Sequence, residues 1–99
     1  MQRAGNAAIS MNNLQLNFVR KENGQPLASS TFAKDDSGMQ LISFLNQRDA
    51  CEQGKYYNLY RDNAGTQPIT YAELSCNLGQ LNLTADANVF VAKEDEPRF

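Results

Sequence analysis

The clearest hydrophobic pattern in the chain is helical and lies between residues 36 and 54. At about 100° per residue, one broad face collects the apolar side chains of Leu41, Ile42, Phe44 and Leu45. Ser37 or Asp36 can cap the N-terminus by accepting a hydrogen bond from a first-turn amide. Arg48 and Glu52 then rotate onto the apolar face, so the pattern predicts a short packing helix over about 37–47.

Before this helix, apolar and polar residues alternate in two segments, 14–21 and 27–34, as in half-buried strands. Asn23 and Gly24 between them are typical of a β-hairpin turn. A three-residue loop pairs Leu16 with Phe32, whereas a two-residue loop pairs Leu16 with Thr31 and turns Phe32 to solvent. The hydrophobic pattern therefore favours the three-residue loop.

Three further segments follow the helix, and 55–61 alternates most clearly. Segment 69–76 has β-branched and aromatic residues that favour a strand, although Thr70 with Glu73 three residues later also fits a short capped helix. Segment 80–84 is predicted to begin a final hairpin.

In that hairpin, Leu83 would pair with Val91 and Ala85 with Val89. The three-residue loop would be formed by residues 86–88, with Asn88 able to adopt the left-handed region.

These elements predict a small α+β domain with the order β-β-α-β-β-β-β. The sheet is expected to be an antiparallel, meander-like sheet of five or six strands, with the helix on one face. Residues 1–12 show no periodicity and are interpreted as a flexible arm, and 94–99 as a charged flexible tail, which leaves 13–93 as the single domain.

Composition removes several kinds of function from consideration. The chain of 99 residues contains no histidine, the commonest general base and neutral metal ligand, and no phosphate-binding glycine motif. We therefore expect no enzymatic activity and no cofactor. The net charge of −2, with both signs interspersed, makes nucleic acid an unlikely partner without excluding it. Asn and Gln number 19 and are spread through the chain, which suits hydrogen-bonded recognition of another protein.

Cys51 and Cys76 allow two interpretations. A reduced pair of small apolar side chains is favoured because no signal peptide is evident. A disulfide is the alternative, and by closing a loop of about 25 residues it would contribute roughly 3 kcal/mol. Two thiols without histidine do not supply the four ligands that zinc needs, so no metal site is expected.

Tyrosines in segment 55–61 form the candidate binding site. Tyr56, Asn58 and Tyr60 share the strand face opposite the predicted helix, and Lys55 and Arg61 flank them. If that face meets solvent, the two rings offer contact area and hydroxyl groups to a partner protein. The same rings could stack single-stranded bases, with the two cations on phosphates.

The first functional hypothesis is a non-enzymatic protein-binding module. In length and composition the chain resembles small bacterial or phage-encoded inhibitors and adaptors, which implies that it blocks a larger macromolecular machine. The alternative is an extracytoplasmic structural domain of a surface assembly stapled by Cys51 and Cys76. Binding of single-stranded nucleic acid is the third hypothesis.

The sequence also leads to predictions about where the protein is located and whether it associates with itself. A cytoplasmic location without a membrane partner is expected, or an extracytoplasmic one if the chain is a mature fragment. An exposed edge strand could also pair with its copy in a homodimer.

Overall fold

The computed structural model describes residues 13–83 and 87–99 and shows a small single-domain α+β fold. The predicted arm 1–12 and residues 84–86 lie outside the described residues. The elements are β1 (Asn13–Arg20), β2 (Pro26–Ala33), α1 (Met39–Arg48), β3 (Tyr56–Tyr60), β4 (Pro68–Ile69), α2 (Tyr71–Leu74), a 3₁₀ helix (Leu78–Leu81) and β5 (Ala87–Glu94).

The five strands form a mixed sheet in the order β2-β1-β5-β3-β4. β1 and β5 are parallel neighbours, and the other pairs are antiparallel. The predicted antiparallel meander is therefore wrong. Its error has a physical cause: a meander pairs strands that follow one another in the sequence, whereas β5 lies between β1 and β3 and pairs with both.

The β1–β2 hairpin forms where the sequence predicts it, but in another register. Leu14 lies opposite Phe32 and Leu16 opposite Ser30, so the predicted Leu16–Phe32 pair is wrong by two residues. The Arg20 N–H donates to the Gln25 carbonyl at 2.8 Å, which makes the turn longer than three residues. A two-residue shift preserves the alternation of side chains, and Phe32 therefore still points into the core.

Helix α1 confirms the predicted packing helix with its boundaries moved by one or two residues. Its buried side chains are Leu41, Ile42 and Leu45. Gly38 occupies the N-cap position, and the Ser37 hydroxyl accepts from the Met39 N–H at 3.2 Å. Ser37 thus contacts a first-turn amide as predicted, from one position before the cap.

The segment 69–76 forms the short helix that was the alternative prediction, and the favoured strand is wrong beyond Ile69. The Thr70 side chain accepts from the Glu73 N–H, and the Glu73 carboxylate accepts from the Thr70 N–H. This reciprocal capping box gives the N–H groups of Thr70 and Glu73 hydrogen-bond acceptors within the segment. In a strand, these groups would need acceptors on a neighbouring strand.

The predicted strand over 80–84 is wrong where the structure describes it. Residues 78–81 form the 3₁₀ helix, whose capping box joins Asn77 and Gln80, and Asn82 adopts the left-handed region at φ 59°. Thr84 and Ala85 lie outside the described residues, so the Ala85–Val89 pair does too. Val91 pairs with Arg20 and Leu59 instead of with Leu83.

The core lies between α1 and one face of the sheet. Its buried side chains come from all the regular elements: Leu14, Leu16, Phe18, Phe32, Leu41, Ile42, Leu45, Tyr57, Leu59, Ile69, Leu74, Leu78, Leu81, Val89 and Val91. None of the helices in the described ranges is both long and apolar enough to span a membrane.

Gly38 lets the start of α1 approach the backbone of α2. A Cβ atom at this position would lie 2.8 Å from both Cα and the carbonyl oxygen of Leu74, and the Gly38 N–H donates to the Cys76 carbonyl at 2.8 Å. We expect Gly38→Ala to lower the free energy of unfolding by about 1–3 kcal/mol, because backbone atoms cannot move aside as side chains do. Chemical denaturation measures this change.

Ser43→Ala in the exposed part of α1 is the matched control and should be neutral or slightly stabilising. A Gly38→Ala variant as stable as the wild type would show that the two helices separate without cost.

Candidate functional site

The two faces of the sheet differ in what covers them. Along the strands, every second side chain points toward α1 and packs against it. We call this side of the sheet the inner face. The opposite side, the outer face, carries from β1, β5 and β3 the side chains of Gln15, Asn17, Val19, Asn88, Phe90, Ala92, Glu94, Tyr56, Asn58 and Tyr60. Helix α1 does not cover this face.

An apolar strip crosses the centre of the outer face. Val19 of β1 lies beside Phe90 of β5, and Phe90 in turn lies beside Tyr60 of β3. Val19, Phe90 and Ala92 are each half-buried, and we call these three residues the apolar strip. Exposed polar residues on β1, β2 and β5 border it: Gln15, Ser29, Thr31 and Asn88. An apolar centre with a polar border is the arrangement found in protein interfaces.

The chain after β5 crosses back over the outer face beside β3. Asn58, which is fully buried, donates from Nδ2 to Glu94 Oε1 at 2.6 Å and to the Glu96 carbonyl at 2.8 Å. Its Oδ1 accepts from the Arg98 N–H at 3.0 Å, and the Tyr71 N–H donates to the Arg98 carbonyl at 2.7 Å. Residues 95–98, the C-terminal strap, are thus hydrogen-bonded to the sheet.

The strap differs from the flexible tail that the charges of 94–99 predicted. The last strand continues through Glu94, and the hydrogen bonds continue to Arg98. Asn58 explains the difference, since its side-chain amide is satisfied by groups that only this segment supplies.

Tyr60 is held in the same network. Its hydroxyl donates to Glu94 Oε1 at 2.5 Å and accepts from Arg98 Nε at 3.1 Å, while the Lys21 ammonium lies 5.4 Å from the ring centroid. Burial raises the pKa of Tyr60, and the hydrogen bond to Glu94 raises it further. Burial alone would raise the pKa of Glu94, but hydrogen bonds from Tyr60 and Asn58 and the charge of Arg98 outweigh it and hold that pKa below its usual value.

The predicted binding site is only partly on the surface. Tyr56 is 44% exposed, but Tyr60 is 1% exposed, so the prediction that both rings meet solvent is wrong for Tyr60, and Asn58 between them is 0% exposed. The alternation in β3 predicted the correct face for these side chains, but the strap covers Asn58 and Tyr60. Of the two rings on which bases were predicted to stack, Tyr56 is exposed and Tyr60 is buried.

The two flanking cations of the predicted site belong to separate surface ion pairs. Lys55 contacts Asp95 of the strap at 2.6 Å, and Arg61 contacts Glu73 of α2 at 3.7 Å. They do not converge on a common anion site.

Sequence reasoning missed the apolar strip. Its signal was present: β1 contains the adjacent apolar residues Phe18 and Val19, and β5 contains Val89 to Ala92 without a polar residue. Such runs break the alternation of a half-buried strand and indicate apolar groups on both faces.

A concavity lies on the inner side at the C-terminal end of α1. This pocket has a volume of about 280 Å³ and is lined in part by Arg20, Leu45, Tyr57 and Lys93. Lys93 contacts Asp49 at 2.9 Å, and this hydrogen bond raises the pKa of Lys93 and lowers that of Asp49. The ion pair joins the end of the helix to β5, so these charges at the rim already have partners.

Cys51 and Cys76 are both free thiols, half-buried and exposed respectively. The disulfide of the alternative hypothesis is therefore absent from the structure. Among residues 13–83 and 87–99, no group of three or more Cys, Asp or Glu side chains is arranged to hold a metal ion.

Comparison with known proteins identifies the fold. No protein-family model and no curated protein matches the sequence. Among solved structures, the chain is similar to the UBL domain of yeast Ddi1, known from its solution structure, with a TM-score of 0.61 and 16% sequence identity. The match covers 83% of this chain and 90% of that chain. The five-stranded mixed sheet with few helices is thus a ubiquitin-like fold.

Proposed function

We propose that this chain is a non-enzymatic protein-binding module that binds its partner through the outer face of the sheet. The observation that carries the proposal is the apolar strip. Val19, Phe90 and Ala92 stay half-exposed at the centre of a face that α1 does not cover. Burying such a strip against a partner releases its hydration water, which favours association.

The residues around the apolar strip support the proposal that the ligand is a protein. Its border consists of neutral hydroxyl and amide side chains on one side, and on the other side Lys21 and Arg98 flank the buried Tyr60. Neutral polar groups can form hydrogen bonds at the rim of an interface without the large desolvation cost of charges. The ubiquitin-like fold supports the same proposal as a compact domain with one sheet face that α1 does not cover.

By occupying a surface on a larger assembly, such a module would act as an inhibitor or an adaptor. This finer role rests on the small size of the described domain and on the lack of histidine in the sequence. Tyr56, the exposed member of the site predicted from sequence, would lie at the margin of the contact.

Photo-crosslinking followed by affinity measurement tests the proposal. A photoreactive phenylalanine analogue at Phe90 should capture the partner in cells of the source organism, whereas the same analogue at Met39 should not, because Met39 is 38% exposed on the helix side of the molecule. With the purified partner, Phe90→Ala should weaken the Kd at least about tenfold, as expected for an aromatic side chain at an interface centre.

Met39→Ala is the control and should leave the Kd unchanged. Tyr56→Ala separates the strip from the tyrosine site predicted from sequence, since it should weaken binding less than Phe90→Ala does. If Phe90→Ala and Val19→Ala both bind the partner with wild-type affinity, the outer face is not the binding surface.

A further inference from the structure

The edge strand β2 is long, and after its first residue, Pro26, it carries little of the usual protection against pairing. β2 spans eight residues at one edge of the sheet, whereas β4 at the other edge has only two. From Leu27 to Ala33 the sequence LASSTFA contains neither a charge nor a proline. Proteins normally place such residues on exposed edge strands to prevent association.

The hydrogen bonds at the end of β2 show which backbone groups face away from β1. The Ala33 N–H donates to Asp36 Oδ2 and the Ala33 carbonyl accepts from the Asp36 N–H, both at 3.0 Å. The backbone N–H and carbonyl of Ala33 therefore both bind the following turn and point away from β1. Because backbone direction alternates along a strand, the N–H and C=O groups of Thr31 and Ser29 also point outward from the sheet.

We propose that a second copy of this chain pairs with β2 in an antiparallel, two-fold symmetric dimer centred on Ser30. In this register Thr31 of each copy lies opposite Ser29 of the other and exchanges both backbone hydrogen bonds with it. Phe32 then lies opposite Ala28, so that a large side chain meets a small one. β2 is thus complementary to β2 of a second copy, and Ser29 and Thr31, whose backbone groups point outward, both form hydrogen bonds across the pair.

Charge and apolar surface favour a second copy as the occupant. β2 has no charge between Leu27 and Ala33, so two identical strands meet without repulsion. On the inner side, Phe44 of α1 packs on Phe18 at 5.3 Å and on Phe32 at 5.7 Å between ring centroids, yet it remains half-buried. A two-fold axis perpendicular to the sheet places both helices on the same side, where the second copy would cover Phe44.

The contact is small, so the dimer should be weak. One strand pair with an adjoining aromatic side chain buries less than the roughly 1,200 Å² of a stable interface. We therefore expect a reversible dimer with a Kd above about 1 μM. Its hydrogen bonds use the backbone edge of β2, whereas the proposed function uses the apolar strip.

Sedimentation equilibrium of the full chain over a range of concentrations tests the dimer. The wild type should shift reversibly from monomer to dimer, and Thr31→Lys should weaken the association at least about tenfold, because it introduces like charges beside the two-fold axis. Gln15→Lys is the matched control. Gln15 is the neighbour of Thr31 on β1 and is also exposed, so its substitution adds the same charge one strand away from the edge.

Oxidative cross-linking tests the register. With Cys51 and Cys76 replaced by serine, Ser30→Cys should form a disulfide-linked dimer faster than Thr31→Cys. Residues on the axis come to about 4.5 Å between Cα atoms, within the range for a disulfide. A wild type that remains monomeric at millimolar concentration overturns the proposal. Equal loss of the dimer in Thr31→Lys and Gln15→Lys also overturns it, since the effect would then not belong to the edge.

Discussion

Replacing Asn58 with alanine is expected to lower the free energy of unfolding by about 3 kcal/mol, because hydrogen bonds to charged groups contribute about 1.5–3 kcal/mol and further bonds are lost with them. Asn58 is fully buried and joins three parts of the C-terminal segment: the Glu94 carboxylate, the Glu96 carbonyl and the Arg98 amide. The alanine variant leaves all three without this partner.

Thermal unfolding measures the loss as a decrease in Tm of roughly 12–24 °C, since 1 kcal/mol corresponds to about 4–8 °C in a domain of this size. Hydrogen exchange provides the local measurement: the Arg98 amide should lose its protection in the variant. Asn88→Ala, at an exposed position of the same outer face, is the matched control and should stay within about 0.5 kcal/mol of the wild type. Equal stability of the Asn58 and Asn88 variants would contradict the role assigned to the strap.

The pH dependence of stability gives a second measurement of the same network. The pKa of Glu94 is lower in the folded chain than its ordinary value of 4.5. Ionised Glu94 therefore stabilises the fold above pH 4.5, and this contribution is lost as the pH falls through the lowered pKa. Asn58→Ala removes one of the hydrogen bonds that lower the pKa, so its stability should fall less steeply with acid than that of the wild type.

The parts of the fold that local pattern determines could be predicted from the sequence. The apolar face of α1, the inward side of β1 and the burial of Phe32 each follow from the spacing of side chains within one element. The capping box of Thr70 and Glu73 was also visible, but it competed with the strand propensity of the same segment. The tertiary structure decided between them.

Neighbours distant in the sequence could not be predicted in the same way. Alternation in β5 shows which side chains share a face, but it does not show that the strand lies parallel to β1. The exposure expected at the candidate site was wrong for a similar reason. Asn58 and Tyr60 were assigned to the correct face, and their burial depends on Glu94 and Arg98, whose charges suggested a solvated tail.

Replacing Phe18 with alanine is expected to lower the free energy of unfolding by about 3–5 kcal/mol, the usual cost of deleting a fully buried aromatic side chain. Phe18 is 0% exposed, stacks on Phe44 at 5.3 Å and meets the edge of Phe32 at 6.1 Å between ring centroids. The cavity left behind would lie between α1 and β1, where the backbone of the sheet cannot collapse to fill it.

The same substitution on the other face of the sheet provides the contrast. Phe90 is half-buried on the outer face, one position along β5 from Val89, the neighbour of Phe18 on the inner face. We expect Phe90→Ala to lower the free energy of unfolding by only about 1–2 kcal/mol, since less apolar area leaves contact, while it weakens partner binding. Chemical denaturation of both variants, with the Kd of Phe90→Ala for the partner, separates a core aromatic from a binding aromatic. A Phe90 variant as unstable as the Phe18 variant would mean that Phe90 serves the fold, and the apolar strip would then lose its place as the binding surface.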